Sequence, residues 1–257
     1  MRICPRRDGH SALSDAIGKA PQSLDARVRN LTCAGRMRVG TFPPQCGREP
    51  VSGELRGWSV DLVHALSARL GIAAATIEYP GPNLLIGGLM AGECDAGFLP
   101  NSPDWSPAVD FSDPFLQMDF TFLAAAGCLI RRAGAADRPG VRIAVVRYHA
   151  STLALMPKLR HATPVEVNTL DNAVDLLRRK DADLFASTRP QLIQDSTRLP
   201  GSTVLKGRYG FIFMTVAVRK GEFALLAYLN GFLRAAKAAG LVQRAVEKAG
   251  WRGVKIV

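Results

Sequence analysis

The chain has 257 residues, 33 Lys+Arg against 22 Asp+Glu, and a formal net charge of +11. That length frames one or two domains of roughly 100–200 residues each, and 47% hydrophobic with 21% charged residues is enough to bury a sizeable core, which excludes general disorder. Five cysteines in so long a chain exclude a disulfide scaffold, and no apolar run approaches the roughly 20 residues of a spanning helix, so no membrane insertion is expected.

Residues 1–36 read as an extension, with Pro, Ser, Gly and seven Lys+Arg and little periodicity. A short helix is expected over Ser23–Leu31. The first 22 residues are cationic but have no apolar h-region, so no signal peptide is read there. Periodic structure begins at Met37. "MRVGTF" alternates and runs into Pro43-Pro44, a strand and a turn. Leu62, Leu66 and Leu70 repeat at helical spacing from Ser59, with Ser59 as the expected N-cap and Gly71 as the stop. "AAATIEY" is a strand, Asn83–Ala91 a short helix, and "CDAGFL" a buried strand entering a Pro-rich loop. "VDFSDPF" and the strand "DFTFLAAA" follow.

The alternation restarts with the strand "VRIAVV". A helix is expected over Ala150–Leu159, then the strand "PVEV", the amphipathic helix "LDNAVDLLRRK", the strand "ADLFAS" and the strand "FIFMTVAV". Two helices close the chain, over Glu222–Ala239 and Leu241–Ala249. Strand-helix-strand alternation, twice over, gives two helix-covered, mostly parallel sheets in an α/β fold. Each sheet offers its strand C-termini and following loops as a ligand crevice.

Catalytic motifs are missing. The sequence has no G-x-S-x-G, no phosphate-binding G-x-x-x-x-G-K, and no G-x-G-x-x-G after a strand. The cysteines stand at 4, 33, 46, 94 and 128 with no C-x-x-C pair and no histidine at ligand spacing, so neither a metal nor a cofactor is expected. The cations are spread along the chain and the aromatics sit in apolar runs, which does not describe a nucleic-acid surface. A basic surface favouring anionic small molecules is the simpler account.

The segments "MRVGTFPP", "GWSVDLVHALSARLG", "LMAGECDAGF", "VDFSDPF", "GVRIAVV", "KDADLFAS" and "TVAVRKG" stand in the order found in extracellular solute-binding proteins of family 3, and over about residues 37–257 the chain resembles that family. The resemblance implies a periplasmic-binding-protein type 2 fold. Its two lobes are joined by two hinge crossovers, near Thr121–Ala124 and Phe213–Val216. Lobe 1 would hold residues 37–123 and 215–257, and lobe 2 residues 124–214. It also implies a monomer that captures a small organic solute between the lobes for an ABC permease. A periplasmic location is expected from the resemblance, whereas residues 1–22 alone read as cytoplasmic or as lacking a leader.

Asp61, Asp110 and Asp113 lie in the shared motifs and read as structural, at a helix start and in turns. The family's usual grip on an α-amino acid is a Thr and an Arg before "VDFS" and an Asp in the second lobe. Here those positions hold Ser102, Trp105 and Thr188, so both charged anchors are missing. Phe42 follows the first strand, where members of the family often place an aromatic against the solute, and Phe98, a further candidate, continues the strand that leads to the hinge loop. Arg147, Tyr148, His149 and Ser151 follow the first strand of lobe 2, and Arg189 follows Thr188. A guanidinium at 147 or 189 can fork onto a carboxylate, sulfonate or phosphate, and Trp105 can stack on a flat solute. The expected ligand is therefore anionic or aromatic, or an amino-acid-like solute. Two alternatives stay open: a cyclohexadienyl-dehydratase-like enzyme, which needs a cleft acid that no glutamate obviously supplies, and a non-transport solute sensor.

Overall fold

The computed structural model describes Val28 and residues 35–257. The helix expected over Ser23–Leu31 lies outside these residues except for Val28, which is helical and buried.

The chain divides into two compact units. Unit 1 holds the described residues up to Phe115, Met214–Ala249 and Ile256; unit 2 holds Leu116–Phe213, Gly250–Lys255 and Val257. This differs from the expected boundaries in two ways. All of strand Leu116–Ala124 belongs to unit 2, because its residues 120–124 pair with Leu184–Thr188. The chain also returns to unit 2 after Ala249.

In unit 1, strand β1 (Arg36–Thr41) is followed by the short hairpin β2 (Gly47–Arg48) and β3 (Leu55–Arg56), helix α1 (Trp58–Leu70), β4 (Ala73–Glu78), helix α2 (Pro82–Ala91), β5 (Ala96–Pro100) and β6 (Val109–Phe111). β1 lies between β4 and β5, parallel to both. Strand β12 (Gly210–Arg219) pairs antiparallel with β5 through Met214–Val218 and with β6 through Ala217–Arg219. Helices α6 (Phe223–Ala238) and α7 (Leu241–Lys248) complete the unit.

Helix α1 starts at Trp58, not at a capping Ser59. Gly57 precedes it at φ 147°, and a Cβ there would fall 2.2 Å from the Gln45 carbonyl oxygen. Ser59 is buried, and its hydroxyl donates to the same carbonyl at 3.1 Å, so it is used by tertiary structure and not by the helix end. Gly71 ends the helix in the left-handed conformation, as its position suggests.

Unit 2 repeats the plan. Strands β8 (Arg142–Val146), β9 (Thr163–Val167) and β10 (Leu184–Thr188) are parallel, with β8 central, and β7 (Leu116–Ala124) runs antiparallel on the far side of β10. β11 (Thr203–Val204) also pairs with β7. Alternate strand residues face opposite sides. Phe122, Ile143, Val145, Leu184 and Ala186 join one buried cluster with Leu155 of helix α3 (Ala150–Leu155). Leu123, Ala144, Val146 and Phe185 join another, with Val174 and Leu177 of helix α4 (Leu170–Arg179) and Leu192 of helix α5 (Arg189–Ser196). Both faces are covered, which explains the nearly continuous apolar runs of these strands. Helix α3 stops sooner than Leu159: residues Met156–Lys158 form a 3-10 turn, and Pro157 has no N–H to continue the α-helical ladder.

One device pins the parallel register in each unit. In unit 1 the Arg38 N–H donates to Asp95 Oδ2 at 2.8 Å, the Asp95 N–H donates to the Arg38 carbonyl at 2.8 Å, and the guanidinium reaches Asp95 Oδ1 at 3.1 Å. In unit 2, Arg142 and Asp183 make the same contacts at 2.8, 2.9 and 3.0 Å. The Asp95 side chain is 7% exposed and that of Asp183 is 34% exposed. Removing the inner carboxylate strands a backbone N–H as well as a guanidinium, so Asp95→Ala should lower stability in urea unfolding by about 1.5–3 kcal/mol. Asp183→Ala should cost less, because water can replace its carboxylate. Equal losses, or a larger loss at Asp183, would contradict this account.

Candidate functional site

The C-terminal end of β8 carries four of the sequence-predicted residues. The Arg147 N–H still donates to the Val167 carbonyl, at 2.9 Å, and the His149 N–H turns back to Val146 at 3.1 Å. Tyr148 makes that turn at φ 61°, in the left-handed region, with 84% of its surface exposed. His149 then caps α3: its Nδ1 accepts the Ser151 N–H at 3.3 Å and lies 2.7 Å from Ser151 Oγ. Ser151 is buried, its hydroxyl donates to the Ala186 carbonyl at 3.4 Å, and its own carbonyl accepts the Tyr209 hydroxyl at 3.1 Å. The strand ends of β8 and β10 are thereby tied together through Ser151.

The two candidate guanidinium groups differ. Arg147 Nε lies 3.2 Å from Glu166 Oε2, with half of the Arg147 side chain exposed. Arg189 is 21% exposed and donates to the Leu205 carbonyl at 3.3 Å and the Gly207 carbonyl at 2.6 Å, with Nε 3.9 Å from Asp119 Oδ2. Asp119 also takes Arg208 at 2.8 Å and Gln117 at 2.9 Å. Burial pushes the Asp119 carboxyl up, while Arg208, Gln117 and Lys255 draw it down and win, so it lies below the ordinary carboxylate range. Thr188 ends β10, half-buried, and precedes α5 without a side-chain cap bond.

In unit 1, Phe42 and Trp105 meet the same apolar cluster at the C-terminal ends of β1 and β5, with Tyr79, Leu85, Leu99 and Val109. Phe42 is buried, and Trp105 is half-buried at the end of a short 3-10 turn begun by Pro103. Ser102 accepts the Trp105 N–H through its carbonyl at 3.2 Å. Phe98 does not join them. Its ring packs edge-on against Trp58 at 5.3 Å and Phe115 at 6.0 Å, and at 3% exposure it is a core side chain.

Sequence reasoning missed a buried polar network at the end of β1. Thr41 Oγ1 lies 2.8 Å from Ser59 Oγ and 3.2 Å from Gln45 Oε1, and Gln45 Nε2 donates to the Phe98 carbonyl at 3.3 Å. Its signal was present: Met37, Val39 and Thr41 share one face of β1, and all are buried. Ser187, buried beside Thr188, leaves its hydroxyl without a partner. Tyr209 and Asp119 carried no legible signal.

The model for bacterial extracellular solute-binding proteins, family 3, matches residues 37–251. The chain belongs to this family. Solved structures with the same fold include an ancestral cationic amino acid solute-binding protein (AncCDT-1), at 24% identity and a TM-score of 0.74, covering 88% of this chain and 99% of that one. A solute receptor for L-cysteine from Neisseria gonorrhoeae is 21% identical, with a TM-score of 0.69 over 86% of this chain and 92% of its own. An amino acid ABC transporter substrate-binding protein from Streptococcus pneumoniae, bound to L-arginine, is 20% identical, with a TM-score of 0.71 over 91% of this chain and 100% of that one. No curated protein matches the chain. These likenesses establish the two-lobed type 2 periplasmic-binding fold. Among the described residues no helix is long and apolar enough to cross a membrane.

Burial disfavours the charged form of His149, so its pKa lies below the ordinary histidine value of about 6.5. The unfolded chain therefore binds this proton more readily. The contribution to stability is complete above about pH 6.5 and is lost as pH falls from there towards the folded value. Protonation at Nδ1 also removes the acceptor that caps Ser151. The melting temperature should fall between pH 7.5 and pH 5.5, and His149→Asn, which keeps a capping oxygen, should flatten that slope. An unchanged slope in the variant would assign the pH response elsewhere.

Proposed function

We propose that this solute-binding protein captures a small anionic or aromatic solute for an ABC importer, outside the cytoplasm, and that Arg147 and Tyr148 are the residues unit 2 presents to it. The observation that carries the reading is Tyr148: a bulky residue in the left-handed region, with most of its ring exposed, one position from a half-exposed guanidinium. Such a conformation costs of order 1–3 kcal/mol and persists where the surroundings over-determine it. Here the His149 cap and the Val146 turn do so. Neither burial nor packing explains the ring's position, whereas display towards a solute does.

Magnitudes separate the two guanidinium groups. The Arg147–Glu166 pair is exposed on both sides and is worth about 0–1 kcal/mol. A ligand carboxylate that sheds its water can outbid it, since hydrogen bonds to charged groups contribute about 1.5–3 kcal/mol each. Arg189 would have to give up two carbonyls and Asp119 first, so it is not proposed as an anchor. Trp105, against the Phe42 cluster, is the aromatic proposed from unit 1.

Amino acids are the solutes named for the structural neighbours described above. With Trp105 and Thr188 at the two charged anchor positions, a zwitterion would enter with both ends unpaired, at a cost of several kcal/mol in a closed site. An organic anion with an apolar or flat body suits the residues present better. We further propose capture without turnover.

A thermal-shift screen over aliphatic and aromatic carboxylates, sulfonates and amino acids tests this, because a ligand that binds only the native state raises the melting temperature. An acid should give the largest shift. By calorimetry, Arg147→Ala should weaken that acid about 10–100-fold, with a smaller loss in Tyr148→Ala or Trp105→Ala. Wild-type affinity in Arg147→Ala, or a neutral α-amino acid as the tightest ligand, would overturn the proposed site. Conversion of prephenate to phenylpyruvate would overturn the absence of turnover.

A further inference from the structure

Unit 2 holds a cavity at the end of its sheet away from Arg147 and Tyr148. Those two residues follow the C-terminal end of β8, whereas the cavity lies where β7 ends and where β10 and β11 begin. The Ala125 N–H donates to the Asp183 carbonyl at 3.0 Å and ties these segments together. The cavity has a volume of about 310 Å³ and apolar walls from Ala125, Leu177 and Leu199. A neighbouring cavity of about 410 Å³ shares Ala125, Ala126 and Lys180 with it. Volumes of this order suit a small organic molecule.

The two cavities differ in charge. Asp183 lines the larger one, whereas Arg178, Lys180 and Arg198 line the smaller, with no acid among its wall residues. Asp175 engages Arg178, and Asp171 engages Arg198. No described residue pairs with the Lys180 ammonium. The smaller cavity thus has one cation to offer.

Lys180 also stands in an unusual place. It ends α4 in the left-handed region at φ 62°, with its N–H on the Leu176 and Leu177 carbonyls and its own carbonyl accepting the Arg142 guanidinium at 2.7 Å. Helices α1 and α2 end in the same conformation on Gly71 and Gly92. Glycine adopts it without strain and lysine does not. Attraction to the helix C-terminus does not account for the choice, because Arg178 and Arg179 already place two cations in the last turn. The reason for lysine at 180 therefore lies in its side chain.

Ser202 is a wall residue of the same cavity, and its buried hydroxyl has no hydrogen-bond partner. Leaving such a group unbonded costs free energy, and a turn about one side-chain bond re-aims a serine hydroxyl.

We propose that this cavity is a second ligand site, for a small aliphatic monocarboxylate. Lys180 takes the carboxylate, Ser202 donates to it, and the apolar body lies against Ala125, Leu177 and Leu199. One available cation matches one negative charge, and a dianion would enter with its second charge unpaired. The inference does not rest on the solute site at Arg147.

Titration of sodium hexanoate into the full chain, followed through its amide resonances, tests this. Ala125, Ala126, Lys180 and Ser202 should shift together on one saturating curve, in wild type and in Arg147→Ala alike. Hexanamide, with the same body and no charge, should bind at least tenfold more weakly. Lys180→Arg should keep the affinity within a few-fold, and Ser202→Ala should lower it about threefold. Lys180→Gly should weaken hexanoate at least tenfold and yet raise the melting temperature of the ligand-free protein, because it relieves the left-handed strain. The absence of saturable shifts at these amides, equal binding of hexanamide, or wild-type affinity in Lys180→Gly would overturn the site. Loss of the shifts in Arg147→Ala would assign them to the solute site and overturn it as well. A lower melting temperature in Lys180→Gly would show that lysine serves the helix end, against the proposal.

Discussion

The parallel register of the strands in both units rests on one kind of interaction, an arginine near the head of one strand locked to an aspartate just before its parallel neighbour. Arg38 with Asp95 and Arg142 with Asp183 each combine two backbone hydrogen bonds with a forked guanidinium contact. A slip of one residue would turn every strand side chain to the wrong face, and in unit 2 both faces carry buried clusters. The pair therefore fixes more than its own energy suggests. With the strand heads set, the positions of the strand tails follow, and the candidate binding residues all stand on or just beyond those tails.

The two units use that common frame differently. At the end of β1 the residues turn inwards, with Thr41, Gln45 and Ser59 satisfying one another and Phe42 closing over the α2 cluster. At the end of β8 the chain turns outwards, because Tyr148 takes a left-handed turn and His149 caps the helix that follows. Ser151 then ties this turn to β10 and to Tyr209. The exposed pair Arg147–Tyr148 stands on a turn whose His149 and Ser151 side chains are already engaged.

Much of this was legible in the sequence. Alternation gave β1, β8 and β12, helical spacing gave α1 and α4, and ordered motifs gave the family. What could not be read has identifiable causes. Helix α5, "RPQLIQDS", is short and has no strong amphipathic face, so its Pro at the start was the one local sign of it. Strand β13 (Val254–Ile256) is three residues long and is defined by its partner β7. Ser59 has every property of a cap but faces a tertiary carbonyl, a choice that only Gly57 and Gln45 in place can dictate. At the candidate site, Phe98 was a candidate for its place on the strand that leads to the hinge loop, yet the pleat turns its ring towards Trp58 and Phe115.

Arg147 and Arg189 show why residue type and position after a strand do not settle a role. Both follow a strand of the same sheet, and both carry a group suited to an anion. Glu166 holds Arg147 from across the neighbouring strand end, in water, where the pair is nearly neutral in free energy. Arg189 is held by the Leu205 carbonyl, which also accepts the Thr121 hydroxyl, and by the exposed Gly207 carbonyl, with Asp119 beside it. Arg189 is thus engaged on three sides within unit 2, whereas Arg147 keeps a half-exposed pair with Glu166. The same cation is thus left half-exposed in one setting and made a structural post in the other, and the difference is decided by the partners that the fold has already supplied.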